Sequence, residues 1–147
     1  MRQSIIYALI IFLVNNPVKG QTSKILQVFS EADVMGCSCW IYSSKNDIST
    51  EKYFVAVDFA GEWQERTAYI KYGGKLKKLN ITNTSVKDMR FGVDSYFEIF
   101  RNTEIEIRID YKKSLKTGEE TDLYDVTLTV KFRGQTEKLL TKALCGC

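Results

Sequence analysis

The sequence predicts an exported, all-β protein that folds as a small antiparallel barrel or sandwich of seven to eight strands. Three observations predict it: a signal-like start, long stretches in which apolar and polar residues alternate, and two Cys-x-Cys motifs near the ends of the remaining chain. Neither a repeat nor a linker follows the signal. We therefore expect residues 1–20 to be a signal peptide and residues 21–147 to form a single domain.

The signal peptide is predicted from its three regions. Arg2 gives a positive start, residues 4–14 form an apolar run, and Pro17 breaks that run before a Val-Lys-Gly cleavage motif at residues 18–20. The alternative is a membrane anchor, but crossing ~30 Å of hydrocarbon requires about 20 apolar residues. We therefore expect a periplasmic or secreted protein whose mature chain has no integral membrane segment.

Charge and composition narrow the function classes. The chain has 21 basic and 18 acidic residues, and loss of Arg2 and Lys19 with the signal leaves the mature chain close to neutral. This balance gives little support for nucleic-acid binding. The chain has no histidine, which removes Ser-His-Asp and Cys-His catalytic arrangements and every His-containing metal site. We expect neither an enzyme nor a cofactor.

Carboxylate pairs are the remaining generic catalytic option. Asp58 with Glu62, or Asp94 with Glu98, could act as acid and base, but a chain with 18 acidic residues contains such pairs by chance. Charged side chains are almost never buried unless they are paired. We therefore expect these four carboxylates to lie on solvated strand faces.

The clearest strand is Thr103–Tyr111, in which every second residue is apolar and the residues between are charged. Such alternation places one face of an antiparallel strand on the core and the other in water. Asp125–Phe132 repeats the pattern. The polar segment Lys112–Thr121 between these two strands is predicted to be a hairpin loop.

The remaining elements are predicted from weaker patterns. The Gly-Gly pair at 73–74 supplies the positive φ angles of a two-residue hairpin turn. Leu76 and Leu79 interrupt the alternation of their strand, which predicts a bulge near Lys77. Residues 24–31 (KILQVFSE) are compatible with a short N-terminal helix. The other predicted strands are Lys52–Phe59, Arg66–Tyr72, Lys75–Ile81, Phe91–Phe100 and a last strand that follows Arg133-Gly134-Gln135.

The four cysteines, Cys37, Cys39, Cys145 and Cys147, are predicted to form disulfides, because export and an even cysteine count favour oxidation. Residues i and i+2 of a strand point to the same face. Two antiparallel strands that carry these motifs could pair Cys37 with Cys147 and Cys39 with Cys145. A parallel arrangement gives the other cross-pairing, and the sequence does not choose among the three connectivities.

Two other uses of these cysteines remain open. Four thiolates could bind Zn²⁺, although Cys-x-Cys is tighter than the usual Cys-x₂₋₄-Cys spacing. The motif at residues 145–147 could be a redox-active pair, although the groups that activate a thiol are scarce around it. Structural disulfides that join the first strand of the mature domain to the last are favoured over both.

The candidate binding residues are aromatic. Trp63 lies in a polar segment between two predicted strands, and aromatic side chains dominate recognition surfaces. An equally favoured interpretation is that Trp63 folds back and caps one end of the barrel. Tyr69 falls on the face opposite to the apolar side of its strand, where it could extend an aromatic patch. Trp40, next to Cys39, is expected to pack beneath the disulfides.

An exported small all-β domain with cysteines joining its two ends is similar in outline to the periplasmic lysozyme inhibitors. The similarity is one of layout, since none of their functional motifs is matched and no residue role carries over. From the residues we expect a non-enzymatic binding module that recognises a protein or an envelope glycan through Trp63 and its neighbours. A structural envelope protein without a specific ligand and a thiol or metal protein are the alternative hypotheses.

Overall fold

The computed structural model describes residues 22–34, 36–46, 48–88, 93–116 and 120–147, and these form one closed barrel of eight antiparallel strands. The predicted all-β fold is thus confirmed as a barrel, while the predicted signal peptide lies outside the described residues. No helix in the described part of the chain is long and apolar enough to span a membrane. The strands are β1 Ser38–Tyr42, β2 Tyr53–Asp58, β3 Thr67–Tyr72, β4 Lys75–Thr84, β5 Ser95–Arg101, β6 Ile105–Lys116, β7 Thr121–Phe132 and β8 Gln135–Gly146.

The predicted alternation builds the interior. Ile107 and Ile109 of β6 lie opposite Val130 and Leu128 of β7, and all four side chains are fully buried. Burial of each such side chain contributes roughly 1.5–3 kcal/mol relative to leaving it in water. Arg108, between the two isoleucines, points outward and is partly exposed. The core therefore consists of every second residue of each strand.

The two ends of the barrel differ. At the disulfide end β1 begins and β8 finishes, and loops connect β2 with β3 and β4 with β5. At the hairpin end the short turns 73–74, 102–104 and 133–134 join β3 to β4, β5 to β6 and β7 to β8. Both glycines of turn 73–74 have positive φ angles, 60° and 78°, so the predicted Gly-Gly hairpin is confirmed.

Strands β6 and β7 extend further than the sequence pattern predicts. Most of the predicted loop Lys112–Thr121 is strand, because pairing continues as far as Lys116 opposite Asp122. A bulge between Lys113 and Leu115 shifts the register there. A register shift hides the period of two from a reading of the sequence.

The bulge predicted near Lys77 does not form. Leu76 and Leu79 lie in the part of β4 that pairs regularly with β3, and they point to opposite faces. Leu76 is 41% exposed, whereas Leu79 is fully buried. The outward leucine caused the wrong prediction. Strand β4 does contain a bulge, but it lies between Ile81 and Asn83, where β4 pairs with β5.

The helix predicted over residues 24–31 does not form, and the segment runs extended across the hairpin end. The Gln27 N–H donates to the carbonyl of Lys71 in β3 at 2.7 Å, and Phe29 exchanges two backbone hydrogen bonds with Tyr53 in β2. A helix would satisfy its own backbone but leave these strand groups without partners. The tertiary pairing therefore overrides the weak helical pattern.

The seam between β1 and β8 carries both disulfides. The two strands pair antiparallel, with Cys39 directly opposite Cys145. The bonds are Cys37–Cys147 and Cys39–Cys145, which confirms the prediction for an antiparallel arrangement. None of the four cysteines, all of which are described, is free. Neither motif therefore presents a thiolate for metal binding or redox chemistry in this structure.

Gly146, between the last two cysteines, has a steric role. A Cβ at this position would lie 2.5 Å from Thr121 Cγ2 and 2.6 Å from the Glu120 carbonyl oxygen. The end of β8 can approach β7 this closely only because residue 146 has no side chain. Packing therefore determines the middle residue of the second Cys-x-Cys motif.

Removal of the disulfides should be strongly non-additive. The two bonds close nearly the same loop, with sequence separations of 110 and 106 residues. Replacing Cys37 and Cys147 by Ser should lower the free energy of unfolding by only about 2 kcal/mol, because the second bond still closes the long loop. Replacing all four cysteines should lower it by roughly 5–7 kcal/mol. Urea unfolding without reductant measures both values, and equal losses for the first and second bond would contradict this account.

Candidate functional site: an apolar belt on the outer face

A continuous row of apolar side chains runs around the outside of the barrel. The strand register aligns six residues that point away from the core, each directly opposite the next one on the neighbouring strand. In order from β6 to β3 they are Leu115, Leu123, Leu144, Trp40, Ala56 and Tyr69. We call this row the apolar belt. Outward positions of an antiparallel sheet are normally polar, so we take the belt as the candidate binding surface.

The belt faces outward because its neighbours along each strand face inward. Cys39 and Ile41 flank Trp40 in β1, and both are fully buried in the core. Successive residues of a strand point to opposite faces. Ala56 is also fully buried, although it lies outside the core cluster, because Trp40 and Tyr69 stand on either side of its methyl group.

Exposure varies along the belt. At one end Leu115 is 59% exposed, while Leu123 beside it is only 8% exposed. Opposite Tyr69, at the other end, Lys78 holds its Nζ atom 5.8 Å from the centre of the tyrosine ring. The half-buried members are Leu144, Trp40 and Tyr69. The belt therefore has an aliphatic half over β6–β8 and an aromatic half over β1–β3.

Two contacts fix the position of Trp40. Its indole N–H donates to Ser38 Oγ at 3.2 Å, and its ring packs on Tyr53 with centroids 4.7 Å apart. The Tyr53 ring also lies 5.3 Å from Tyr42 and 6.4 Å from Phe29, which extends the aromatic half toward the hairpin end. The prediction that Trp40 packs beneath the disulfides is wrong, because alternation places it on the opposite face of β1 from the cysteines.

The predicted pair of Trp63 and Tyr69 is divided between two surfaces. Tyr69 points outward, as its position in the alternation predicts, and belongs to the belt. Trp63 begins the 3₁₀ turn Trp63–Glu65 at the disulfide end and packs against the core, with Lys87 Nζ 5.3 Å from its ring centre. This placement agrees with the capping alternative, and a binding role for Trp63 stays a prediction.

A buried ion pair, missed by the sequence analysis, lies inside the disulfide end. Arg66 Nη1 donates to Glu98 Oε1 at 2.9 Å, and the two side chains are 3% and 0% exposed. The Tyr111 hydroxyl donates to Glu98 Oε2 at 3.3 Å. Arg66 also donates to the carbonyls of Val86 and Lys87, each at 2.9 Å. The expectation that Glu98 lies on a solvated face is therefore wrong.

Alternation could have located Glu98 inside the barrel. It shares a face of β5 with Phe100, which is fully buried, and with Tyr96, whose ring packs on the core. The prediction of a solvated Glu98 rested instead on the general rarity of buried carboxylates. Asp58 is likewise more buried than expected, at 9% exposure, and it accepts the backbone N–H of Ala60 at 2.9 Å.

Burial raises the pKa of Glu98 to about 7, because removal from water outweighs the attraction of Arg66. The rings of Tyr96, Tyr111 and Tyr124 pack against one another beside the pair, with centroids 4.3–5.7 Å apart. We therefore assign the ion pair a structural role. Among the residues that the structure describes, no three Cys, Asp or Glu side chains are placed to hold a metal ion.

No protein-family profile, curated protein or solved structure matches this chain.

The raised pKa of Glu98 should make stability fall as the pH rises. The Glu98 carboxyl group loses its proton near pH 4.5 in the unfolded chain and near pH 7 in the folded chain. The stability that protonated Glu98 contributes is therefore fully present below pH 4.5 and is lost as the pH rises through 7. Glu98→Gln mimics the protonated form. Relative to that variant, the free energy of unfolding of the wild type should fall by on the order of 3 kcal/mol between pH 4.5 and pH 8.

Urea unfolding of both proteins across this pH range measures the difference, and other titrating groups cancel in the comparison. The opposite result would be a free energy of unfolding that rises with pH in the wild type relative to the Glu98→Gln variant. It would show that the attraction of Arg66 outweighs the cost of burying the Glu98 carboxylate.

Proposed function

We propose that the protein is an exported, non-enzymatic binding module that holds an extended apolar segment of a partner protein against the apolar belt. The observation that carries the proposal is the alignment of six outward apolar side chains on six neighbouring strands, of which Leu115, Leu144, Trp40 and Tyr69 are exposed or half-buried. Organised apolar surface of this kind is typical of protein–protein contacts. Two disulfides are compatible with an oxidising periplasmic or extracellular environment.

The curvature of the barrel favours an extended partner segment. Neighbouring strands lie about 4.8 Å apart, so the belt from Leu115 to Tyr69 follows an arc of roughly 24 Å. A straight helix contacts only part of such an arc. An extended chain, at ~3.3 Å per residue, follows the whole arc with about seven residues.

The polar groups beside the belt favour a peptide over a glycan. Polar ligands are recognised by a few convergent hydrogen-bonding groups in addition to apolar contacts. Next to the aromatic half, however, the Ser38 hydroxyl already accepts the Trp40 indole N–H, and Asp58 accepts the Ala60 N–H. The aliphatic half offers no ring on which a sugar could stack. An envelope glycan bound by Trp40 and Tyr69 alone is the second candidate.

Crosslinking from the belt tests the proposal with the full-length exported protein. Photoreactive benzoylphenylalanine at position 115, the exposed end of the belt, should capture a protein in cells of the source organism. Mass spectrometry then identifies the partner and its crosslinked segment. The matched control carries the same residue at position 140, because Leu140 is a 55% exposed leucine on the outer face of β8 that lies outside the belt.

Binding of a synthetic peptide with the crosslinked sequence then decides whether the belt is the binding surface. Tyr69→Ala and Leu115→Lys should each weaken binding about tenfold or more, as substitutions at an apolar contact do. Leu140→Lys should leave the affinity within about twofold. Equal weakening by the control, or crosslinks only to a second copy or to a glycan, would reject a peptide partner.

A further inference from the structure

A concave surface at the hairpin end is lined by basic side chains. It has a volume of about 510 Å³ and lies where the turns 73–74 and 133–134 meet the N-terminal segment. We call it the hairpin-end concavity. Its charged residues are Lys24, Lys75, Lys77, Arg133 and Glu104. Positive charge therefore predominates around a recess that is large enough for a small molecule.

Three of the four cations of the concavity form no ion pair with a described residue. Arg133 is the exception, with its Nη2 atom 3.8 Å from Glu104 Oε1. The cations of the concavity that form no ion pair within the described residues are Lys24, Lys75 and Lys77. Their charge is therefore available to a ligand.

The nearby carboxylates are already engaged. Glu104 accepts the Tyr72 hydroxyl at 2.8 Å and lies 3.8 Å from Arg133 Nη2. Glu137, at the edge of the concavity, accepts the backbone N–H of Lys24 at 2.7 Å. These two carboxylates do not balance the four cations. The net positive field favours a ligand that carries more than one negative charge.

The rings of Tyr72 and Phe132 line the concavity, and the half-buried Phe132 supplies most of its aromatic surface because Tyr72 is only 7% exposed. Tyr72 and Phe132 pack edge to face with centroids 5.5 Å apart. The Arg133 guanidinium lies 4.8 Å from the centre of the Phe132 ring, and Lys77 Nζ lies 5.7 Å from that of Tyr72. These cation–π contacts hold two cations beside the rings. A ligand that joins a phosphate to a sugar ring would meet the cations with one part and the exposed part of the Phe132 ring with the other.

We infer that the hairpin-end concavity binds the phosphate group of a phosphorylated sugar. Arginine presents a planar fork that matches phosphate oxygens, and lysine supplies point charges around them. A phosphate monoester carries about −1.5 to −2 charges at pH 7, which fits the excess of cations better than a single carboxylate does. The concavity is separate from the apolar belt, so the inference does not depend on the proposed function.

Titration with glucose 1-phosphate tests the inference on the mature protein. Amide chemical shifts should change at the turns 73–74 and 133–134. Glucose 1-phosphate should bind more tightly than inorganic phosphate, and glucose alone should not bind. Vesicles of phosphatidylcholine with phosphatidylglycerol form a separate arm, which asks whether a lipid headgroup is the source of the phosphate.

Paired variants separate a built site from general attraction to a basic protein. The double variant Lys24→Ala, Lys75→Ala should weaken binding of glucose 1-phosphate at least about tenfold. The control Lys45→Ala, Lys112→Ala removes the same charge from positions outside the concavity and should change the affinity less than about twofold. Arg133→Asn is a second site variant, because asparagine tolerates the φ angle of 49° at this position.

Two results would overturn the inference. The first is equal weakening by the control pair, or no binding of either phosphate probe, since both outcomes deny a phosphate site in the concavity. The second is binding to the anionic vesicles, abolished in the site variants, without binding of glucose 1-phosphate. That outcome would assign the concavity to a lipid headgroup and reject the phosphorylated sugar.

Discussion

The antiparallel register between β1 and β8 sets the position of every outward and inward side chain at the seam. With Cys39 opposite Cys145, both cysteines face the interior, and the next pair along, Trp40 and Leu144, faces outward. A slip by one residue would exchange these faces. The two disulfides exclude such a slip, because they join the strands at the cysteine positions. They therefore close the barrel and also hold the two halves of the apolar belt in line across the seam.

The buried ion pair connects the loops of the disulfide end to this frame. Arg66 stays charged inside the barrel, so removal of the Glu98 acceptor altogether, unlike the isosteric Glu98→Gln change, would leave its guanidinium without this partner. Glu98 is fixed in β5, and Arg66, just before β3, reaches it while donating to the carbonyls of Val86 and Lys87. The side chain of Lys87 in turn lies over the Trp63 ring. Arg66 thus links the two loops, and Lys87 of the second loop contacts Trp63 of the first.

Alternation within a strand is a local property, and it was sufficient to predict the fold class and most strands. The pairing register is a long-range property, so the belt could not be predicted. Trp40 and Leu115 are aligned only when β1 pairs with β8 and β8 continues through β7 to β6. The outward position of Trp40 was nevertheless predictable, because its neighbour Cys39 faces inward. The burial of Glu98 depends on Arg66, which lies 32 residues away in the sequence. Only the folded structure shows that this charge has a partner.

The interior of the barrel is filled by its own side chains. A barrel of eight strands is just wide enough to be filled by its own side chains or to hold one small ligand. Here the interior is occupied by large side chains, among them Tyr111 and Tyr124. Leu26, at 4% exposure, packs into the core at the hairpin end, and the Tyr96 hydroxyl lies 3.7 Å from Cys39 Sγ at the other end. A ligand inside would have to displace buried aromatic side chains, which would lose the burial that stabilises them. The apolar belt and the hairpin-end concavity can be reached without such a rearrangement, which is why the proposed binding sites lie on the outer surface.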